Sequence, residues 1–263
     1  MSDGMKDWNP DSYARFRDVR LRPALDLLAQ IPTLPERGKV VDLGCGSGAV
    51  AEALSTRFPK RKLVGVDQSE AMLQKAASTG AYRRLDQDDI SRWEPNKPPA
   101  LIFSNAALQW VPNHAALLPR LAGALRPGGV LAVQMPAQQR APSHRILREL
   151  AQEMFPDRFD FTGWEPPVAA TVDYAQILRK LGRYDLWTSE YLHQLPIAED
   201  GHPVRLFTQS TAMRPYLTQL SDTEQAAFIR RYETALQTVY PVQADGSVLL
   251  PFRRLFLVLQ REA

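Results

Sequence analysis

The sequence predicts an α/β fold: a doubly wound, mostly parallel sheet of seven strands, with a helical cap inserted in the C-terminal half. Three observations predict it. Strand-like and helix-like segments alternate regularly from Val40 to Met135, as in a parallel sheet covered on both faces. A glycine-rich turn, Gly44-Cys45-Gly46-Ser47-Gly48, joins the first strand to a helix. From Pro136 onward the alternation gives way to helical stretches set between two late strands.

The elements follow in order. Polar residues open the chain, then Trp8, Tyr13 and Phe16 bring early aromatics, which either pack as a satellite or form a lid. Val19, Leu21, Leu25 and Leu28 continue at helical spacing and stop before Pro32. Arg15, Arg17, Arg20 and Arg22 share that helix; most belong to a solvated face, and one or two could turn toward an anion. Val40–Leu43 is a strand, and Val50, Leu54 and Phe58 space the helix after the turn. Lys62–Val66 is the second strand, ending at Asp67. Ser69 caps a helix through Met72, Leu73 and Ala76 that stops near Gly80. Tyr82–Leu85 reads as the third strand and Ala100–Phe103 as a buried fourth, across a proline-rich connector. Asn113 caps a helix to Leu125, and Pro127-Gly128-Gly129 turns into the strand Val130–Met135. Beyond it come a helix over His144–Phe155, an aromatic loop to Pro167, and a helix ending at Gly182. A long strand over Tyr184–Leu195 and a short helix after Gly201 follow. The capping box Ser221-Asp222-Thr223-Glu224 opens a helix to about Tyr240, and Leu255–Leu259 is the last strand.

Bulk properties exclude several classes. A net charge of +3 without a block of like charges gives no nucleic-acid footprint. No apolar run reaches the roughly 18 residues that span a bilayer, and no signal peptide opens the chain, so the expectation is a cytoplasmic protein off the membrane. The single cysteine, Cys45, excludes an internal disulfide and fits a reducing compartment. Cys45 and the four histidines are too scattered to hold a metal. A monomer or weak homo-oligomer acting on a small anionic substrate suits the modest positive balance.

The glycine turn carries the chemistry. Glycine has no Cβ and takes positive φ, so a ligand can lie against bare backbone. Asp67 stands 67 − 48 = 19 residues past the last glycine. That is about the ~20-residue spacing at which a carboxylate meets ribose hydroxyls in nucleotide-binding units. The glycines read Gly-x-Gly-x-Gly and not the Gly-x-Gly-x-x-Gly of a pyrophosphate site, and Asp42 precedes them. An acid beside the turn suits a cationic ligand. Asn105, Ala106, Gln109 and Trp110 leave the end of a central strand, where α/β sheets bind ligands.

Asp42–Gly48 resembles the first motif of class I S-adenosylmethionine-dependent methyltransferases. Asp7-Trp8-Asn9-Pro10, Asn105–Trp110, Ala132–Pro136, Tyr191–Pro196, Met213–Leu217 and Arg254-Leu255-Phe256 extend the resemblance, nearly end to end, to the trans-aconitate 2-methyltransferase family. The arginine-rich first helix and the Gln138–Pro167 region depart from it. The resemblance implies a single Rossmann-like domain: an N-terminal lid and helix over 1–32, a cofactor-binding core over 33–136, and cap helices with the last strands over 137–263. It implies S-adenosyl-L-methionine as methyl donor and S-adenosyl-L-homocysteine as product. It places Asp42, Gly44, Cys45, Gly46, Gly48, Asp67, Gln68, Met72, Asp89, Ile90, Asn105, Ala106 and Trp110 around the cofactor, with Asp89 at the adenine amino group and Ile90 on the ring. A turn-capping role competes for Asp89. Cys45 reads as a small buried residue and not as a nucleophile.

The implied reaction esterifies a carboxylate of a small polycarboxylic acid. Such a carboxylate, with a pKa of about 4, is already ionised, so no catalytic acid or base is expected. Positioning alone can supply roughly 7–11 kcal/mol. Arginine matches the carboxylates that do not react, because its fork is bidentate. Arg214, Arg254 and Arg17 are the candidates, with Trp8, Tyr13, Gln109, Trp110 and His193 lining the substrate. Each has a competing structural role: a helix-end bond for Arg214, a surface charge for Arg254, a core histidine for His193, plain packing for the aromatics. Three rival readings remain open: esterification of another acid, carrier-bound or from a natural product; a non-catalytic S-adenosylmethionine-binding module; and, disfavoured by the glycine spacing, an NAD-dependent oxidoreductase.

Overall fold

The computed structural model describes residues 17–209 and 211–262, with the backbone alone for 17–20. Trp8 and Tyr13 lie outside the described residues, and of Arg17 only its place at the start of a helix is described. The elements run α1 (Arg17–Ala29), β1 (Val40–Leu43), α2 (Ala51–Arg57), β2 (Leu63–Asp67), α3 (Glu70–Ala77), β3 (Arg84–Gln87), β4 (Leu101–Asn105), α4 (His114–Ala124) and β5 (Val130–Pro136). They continue with α5 (Pro142–Met154), α6 (Thr171–Leu178), β6 (Gly182–Leu195), α7 (Pro203–Gln209), α8 (Arg214–Leu217), α9 (Asp222–Val239) and β7 (Val248–Arg261). A single 3₁₀ turn, Leu108–Trp110, follows β4.

Seven strands form one sheet in the order β3-β2-β1-β4-β5-β7-β6. β1 to β5 pair in parallel, and β7 runs antiparallel to β5 with Gln134 opposite Phe256 and Pro136 opposite Arg254. The order reverses between β1 and β4. Their C-terminal ends therefore diverge into loops that leave a crevice, the place where open α/β sheets bind ligands. The central strands are buried on both faces and for that reason read as apolar runs, broken in β1 only by Asp42 and in β5 by Gln134 before the closing proline.

Two predicted strands differ in extent. The third covers Arg84–Gln87 and not Tyr82–Leu85. It is the edge strand, its residues half-buried or exposed, so no apolar period marks its register. The last strand begins at Val248, well before Leu255. Its first half alternates buried and exposed residues, and only its second half is buried on both faces.

The described chain forms two compact units. One holds Arg20–Ala137, Pro167–Ser189 and Arg253 onward. Its largest core cluster joins Ile102, Leu131, Val133 and Leu257 of the sheet to Leu117, Leu118 and Leu121 of α4 and Tyr174 and Leu178 of α6. The other holds Gln138–Pro166 and Glu190–Phe252. Its core packs Ile146, Leu147 and Leu150 of α5 against Phe228, Tyr232 and Leu236 of α9. In that unit the region that departs from the family pattern is well anchored. Arg148 lies 3.7 Å over the Trp164 ring and donates to Gln139 O at 2.7 Å. Tyr232 donates to Ser143 O at 2.9 Å.

Candidate active site

The glycine loop is held by its own backbone. Gly44 N–H and Cys45 N–H both donate to Val66 O, at 2.8 and 3.0 Å, tying the loop to β2. Gly44, Gly46 and Gly48 all have positive φ, at 77°, 53° and 80°. A Cβ on Gly44 would collide with Ala107 Cβ and stand 3.1 Å from Ile90 Cδ1. A Cβ on Gly46 would meet nothing within 4 Å. Gly44 is thus required by the protein's own packing, whereas Gly46 borders open space.

Asp67 closes the loop from the other side. Its Oδ2 accepts from Gly46 N–H at 2.8 Å and its Oδ1 from Ser69 N–H at 2.9 Å. Each oxygen keeps a further lone pair. Ser69 caps α3 as expected, with Oγ accepting from Met72 N–H at 3.3 Å. Gln68, next in the chain after Asp67, is exposed, and Met72 is half-buried. Asp89 Oδ1 accepts from Ser91 N–H at 2.8 Å, and the Ser91 side chain also bonds the carboxylate, so the turn-capping role is real. That backbone bond is the first cause holding the Asp89 carboxyl below its ordinary range.

Asp42 is 1 % exposed, and Tyr82 donates to its Oδ2 at 2.6 Å. Glycine at 65 makes room for this: a Cβ there would sit 2.9 Å from Tyr82 Cε1 and 3.0 Å from Cys45 Sγ. Tyr82, read from the sequence as a strand residue, is therefore a hydrogen-bond partner of the site, and no sequence signal marks it. Burial pushes the Asp42 carboxyl up to about 7; the Asp67 charge acts in the same direction and the Tyr82 bond against it. Burial also pushes the Cys45 thiol up, which makes it a poor nucleophile.

The sign of the Asp42 effect is testable. Its folded pKa exceeds the unfolded value of about 4, so between those two values the folded state binds more protons than the unfolded one. The associated stability is complete at low pH and is lost as pH rises through about 7. Asp42→Asn keeps an acceptor for Tyr82 and removes the titration. Thermal unfolding of the two proteins without ligand should converge near pH 4 and separate above pH 7, with the variant the more stable. Parallel curves would show that Asp42 is not protonated in the folded state.

The loop after β4 faces the glycines across the reversal point. Ala106 has φ +54°, an uncommon value for a residue with a Cβ. Gln109 Nε2 donates to Ala106 O at 2.7 Å and fastens the turn. His114 fastens it again: Nε2–H donates to Leu108 O at 2.8 Å, so Nδ1 accepts from the Tyr174 hydroxyl at 2.5 Å. Sequence reading missed this pair, whose members lie sixty residues apart. Trp110 is 67 % exposed, so it serves no packing role among the described residues. Asn105 Oδ1 and Gln109 Oε1 are buried without a hydrogen-bond partner among those residues.

Of the other substrate candidates, Arg254 is 4 % exposed and is no surface charge. Its Nη1 donates to Gln134 Oε1 at 3.4 Å. In the other compact unit, His193 is buried among the rings of Tyr191, Phe207 and Phe252, and Arg214 is half-buried at the start of the four-residue α8. Among the described residues no group of three or more His, Cys, Asp or Glu could hold a metal, and no helix is long and apolar enough to cross a membrane.

This sheet order and glycine loop define a class I methyltransferase fold. The family described as methyltransferase domain matches residues 13–193. Solved structures agree on the fold: the YcgJ protein of Bacillus subtilis, with TM-score 0.58 at 15 % identity, covers 92 % of this chain and 99 % of its own. Phosphoethanolamine N-methyltransferase 2 of Haemonchus contortus, solved with S-adenosyl-L-methionine, has TM-score 0.54 at 15 % identity over 95 % of this chain and 57 % of its own. Sequence relatives are more specific. The trans-aconitate 2-methyltransferases of Variovorax paradoxus, Methylobacterium nodulans and Escherichia coli K12 are 42 %, 44 % and 41 % identical over 98 % of this chain and 99–100 % of their own. The chain belongs to the trans-aconitate 2-methyltransferase family.

Proposed function

We propose that the protein transfers a methyl group from S-adenosyl-L-methionine to a carboxylate of a small polycarboxylic acid, trans-aconitate first among them, giving a monomethyl ester. The observation that carries this reading is a glycine loop bordering open space and fastened to Asp67, on the same strand ends as a buried arginine. Bound S-adenosylmethionine would supply a methyl activated by a sulfonium. The residues present fit it. Gly46 offers bare backbone, Asp67 has lone pairs for ribose hydroxyls, and Asn105 Oδ1 is an orphaned acceptor suited to an ammonium. Asp42 would add negative potential where it ionises, above about pH 7; Asp89 and Ile90 would take the adenine, and Gln68, Met72, Ala106 and Trp110 would complete the walls. No acid or base is required, since an ionised carboxylate is itself the nucleophile. Arg254 would hold a carboxylate that does not react and leave the reacting one unclamped. The single buried cysteine supports a cytoplasmic setting.

The test is incubation with methyl-labelled cofactor and a panel of di- and tricarboxylic acids, followed by mild base. Label released as methanol, greatest with trans-aconitate, is the expected result; base-stable label or none would refute the reading. Asp67→Ala should weaken S-adenosylhomocysteine binding at least about tenfold, since it removes both the ribose acceptors and the anchor of Gly46. Calorimetry giving the wild-type Kd would remove Asp67 from the site.

A further inference from the structure

Gln134 interrupts the apolar run of β5 and is wholly buried. Register sets it beside Asn105 on β4, and Pro136, two residues on, lies opposite Arg254 on β7. Alternate residues of a strand share a face. Asn105, Gln134 and Arg254 therefore form one polar row across three neighbouring strands, at the C-terminal ends of β4 and β5. The amide's orientation is fixed by its neighbour. A guanidinium only donates, so the oxygen Oε1 faces Arg254 and Nε2 points elsewhere. Nε2 is buried and has no hydrogen-bond partner among the described residues. Burying an unmade donor is unfavourable, and a leucine or methionine would fill the same space without it. Gln134 thus has a buried amide donor available to an acceptor from outside the described residues.

We propose that Gln134 is a specificity residue for the acid substrate: its Nε2–H₂ donates to a non-reacting carboxylate, which Arg254 also contacts. This rests on the carboxyl-methyltransferase reading above. The physical logic is that of a mixed pair of donors. Arg254 supplies charge; the neutral amide supplies direction without adding a second cation that would hold product too firmly. A substrate with no acceptor at this place leaves the amide orphaned, and sites built on hydrogen bonds reject such analogues strongly. Asn105, one strand away, is on the cofactor side of the row, so the assignment sets donor and acceptor on adjacent strands about 5 Å apart.

The experiment compares Gln134→Leu and Gln134→Glu with the wild-type chain, at saturating cofactor and varied trans-aconitate. Gln134→Leu should raise KM for the acid about ten- to fiftyfold, the loss of one hydrogen bond to a charged group. The Kd for S-adenosylhomocysteine and the melting temperature should hold. Gln134→Glu should raise KM further, because its carboxylate would engage Arg254 and repel the substrate. A merely structural role predicts the opposite order, since glutamate matches glutamine in shape and leucine does not. Gln134→Met replaces the leucine variant if that fails to fold. An unchanged KM in an active enzyme, or a cofactor Kd that rises with KM, overturns the assignment. A wild-type protein that esterifies no acid overturns the enzymatic reading and this inference with it.

Discussion

Gly44→Ala is expected to abolish measurable cofactor binding and to lower the melting temperature, while Gly46→Ala abolishes binding with little thermal cost. The contrast follows from what surrounds each α-carbon. At Gly44 the added methyl meets Ala107 Cβ, a short rigid side chain, and not the end of a flexible one. Ala107 cannot give way easily. It is buried, its carbonyl accepts from Trp110 N–H, and its neighbour Ala106 is already at positive φ. The glycine side is equally fixed, because Gly44 N–H is bonded to Val66 O. Forcing a methyl between them at φ +77° costs about 1–3 kcal/mol for the backbone alone, before any clash. At Gly46 the methyl enters open space at φ +53°, near the left-handed minimum that a side chain tolerates at about 1–2 kcal/mol. That open space is where the methionine part of the cofactor would lie. Calorimetry with S-adenosylhomocysteine and thermal unfolding separate the two effects. A Gly46→Ala protein that binds with the wild-type Kd would show that the ligand does not use this backbone.

The first half of the architecture was legible because each of its signals is local. The turn glycines, the Ser69 cap and the Asn113 cap each lie within a few residues of what they fix, and both caps are formed. β3 was misplaced because an edge strand needs no apolar face. β7 was shortened because its alternating half resembles a loop until its partner is known. The site shows the same divide. Asp67, which the structure bonds to Gly46 of the loop, could be found by counting from the glycines. The Tyr82–Asp42, His114–Tyr174 and Gln134–Arg254 contacts could not, since their members lie 40 to 120 residues apart and meet only through sheet register and helix packing. The one signal for Gln134 was present: a single polar residue near the end of a strand otherwise buried and apolar. Arg254 shows how register changes a reading. In sequence it borders a strand and could be a surface charge; opposite Pro136 it is buried.

Arg254→Met should leave S-adenosylhomocysteine affinity intact and raise KM for trans-aconitate at least about thirtyfold. Truncating one partner of a buried, hydrogen-bonded charge pair costs roughly 2–5 kcal/mol, of which the lower bound already corresponds to that factor. Methionine keeps much of the aliphatic stem, so the loss reads as charge and hydrogen bonding and not as a cavity. Arg254→Lys sharpens the test. It retains the charge but not the fork, so it should recover only part of the affinity. If the two variants were equally impaired, two-point geometry rather than charge would dominate. The split between kcat and KM then distinguishes holding from activating. An arginine on a non-reacting carboxylate binds ground state and transition state alike, so its removal raises KM and leaves kcat near the wild-type value. An arginine on the reacting carboxylate would dull the nucleophile, and its removal would raise kcat at saturation. A higher kcat in Arg254→Met would therefore move the guanidinium to the other end of the substrate, and an unchanged KM would take it out of the site.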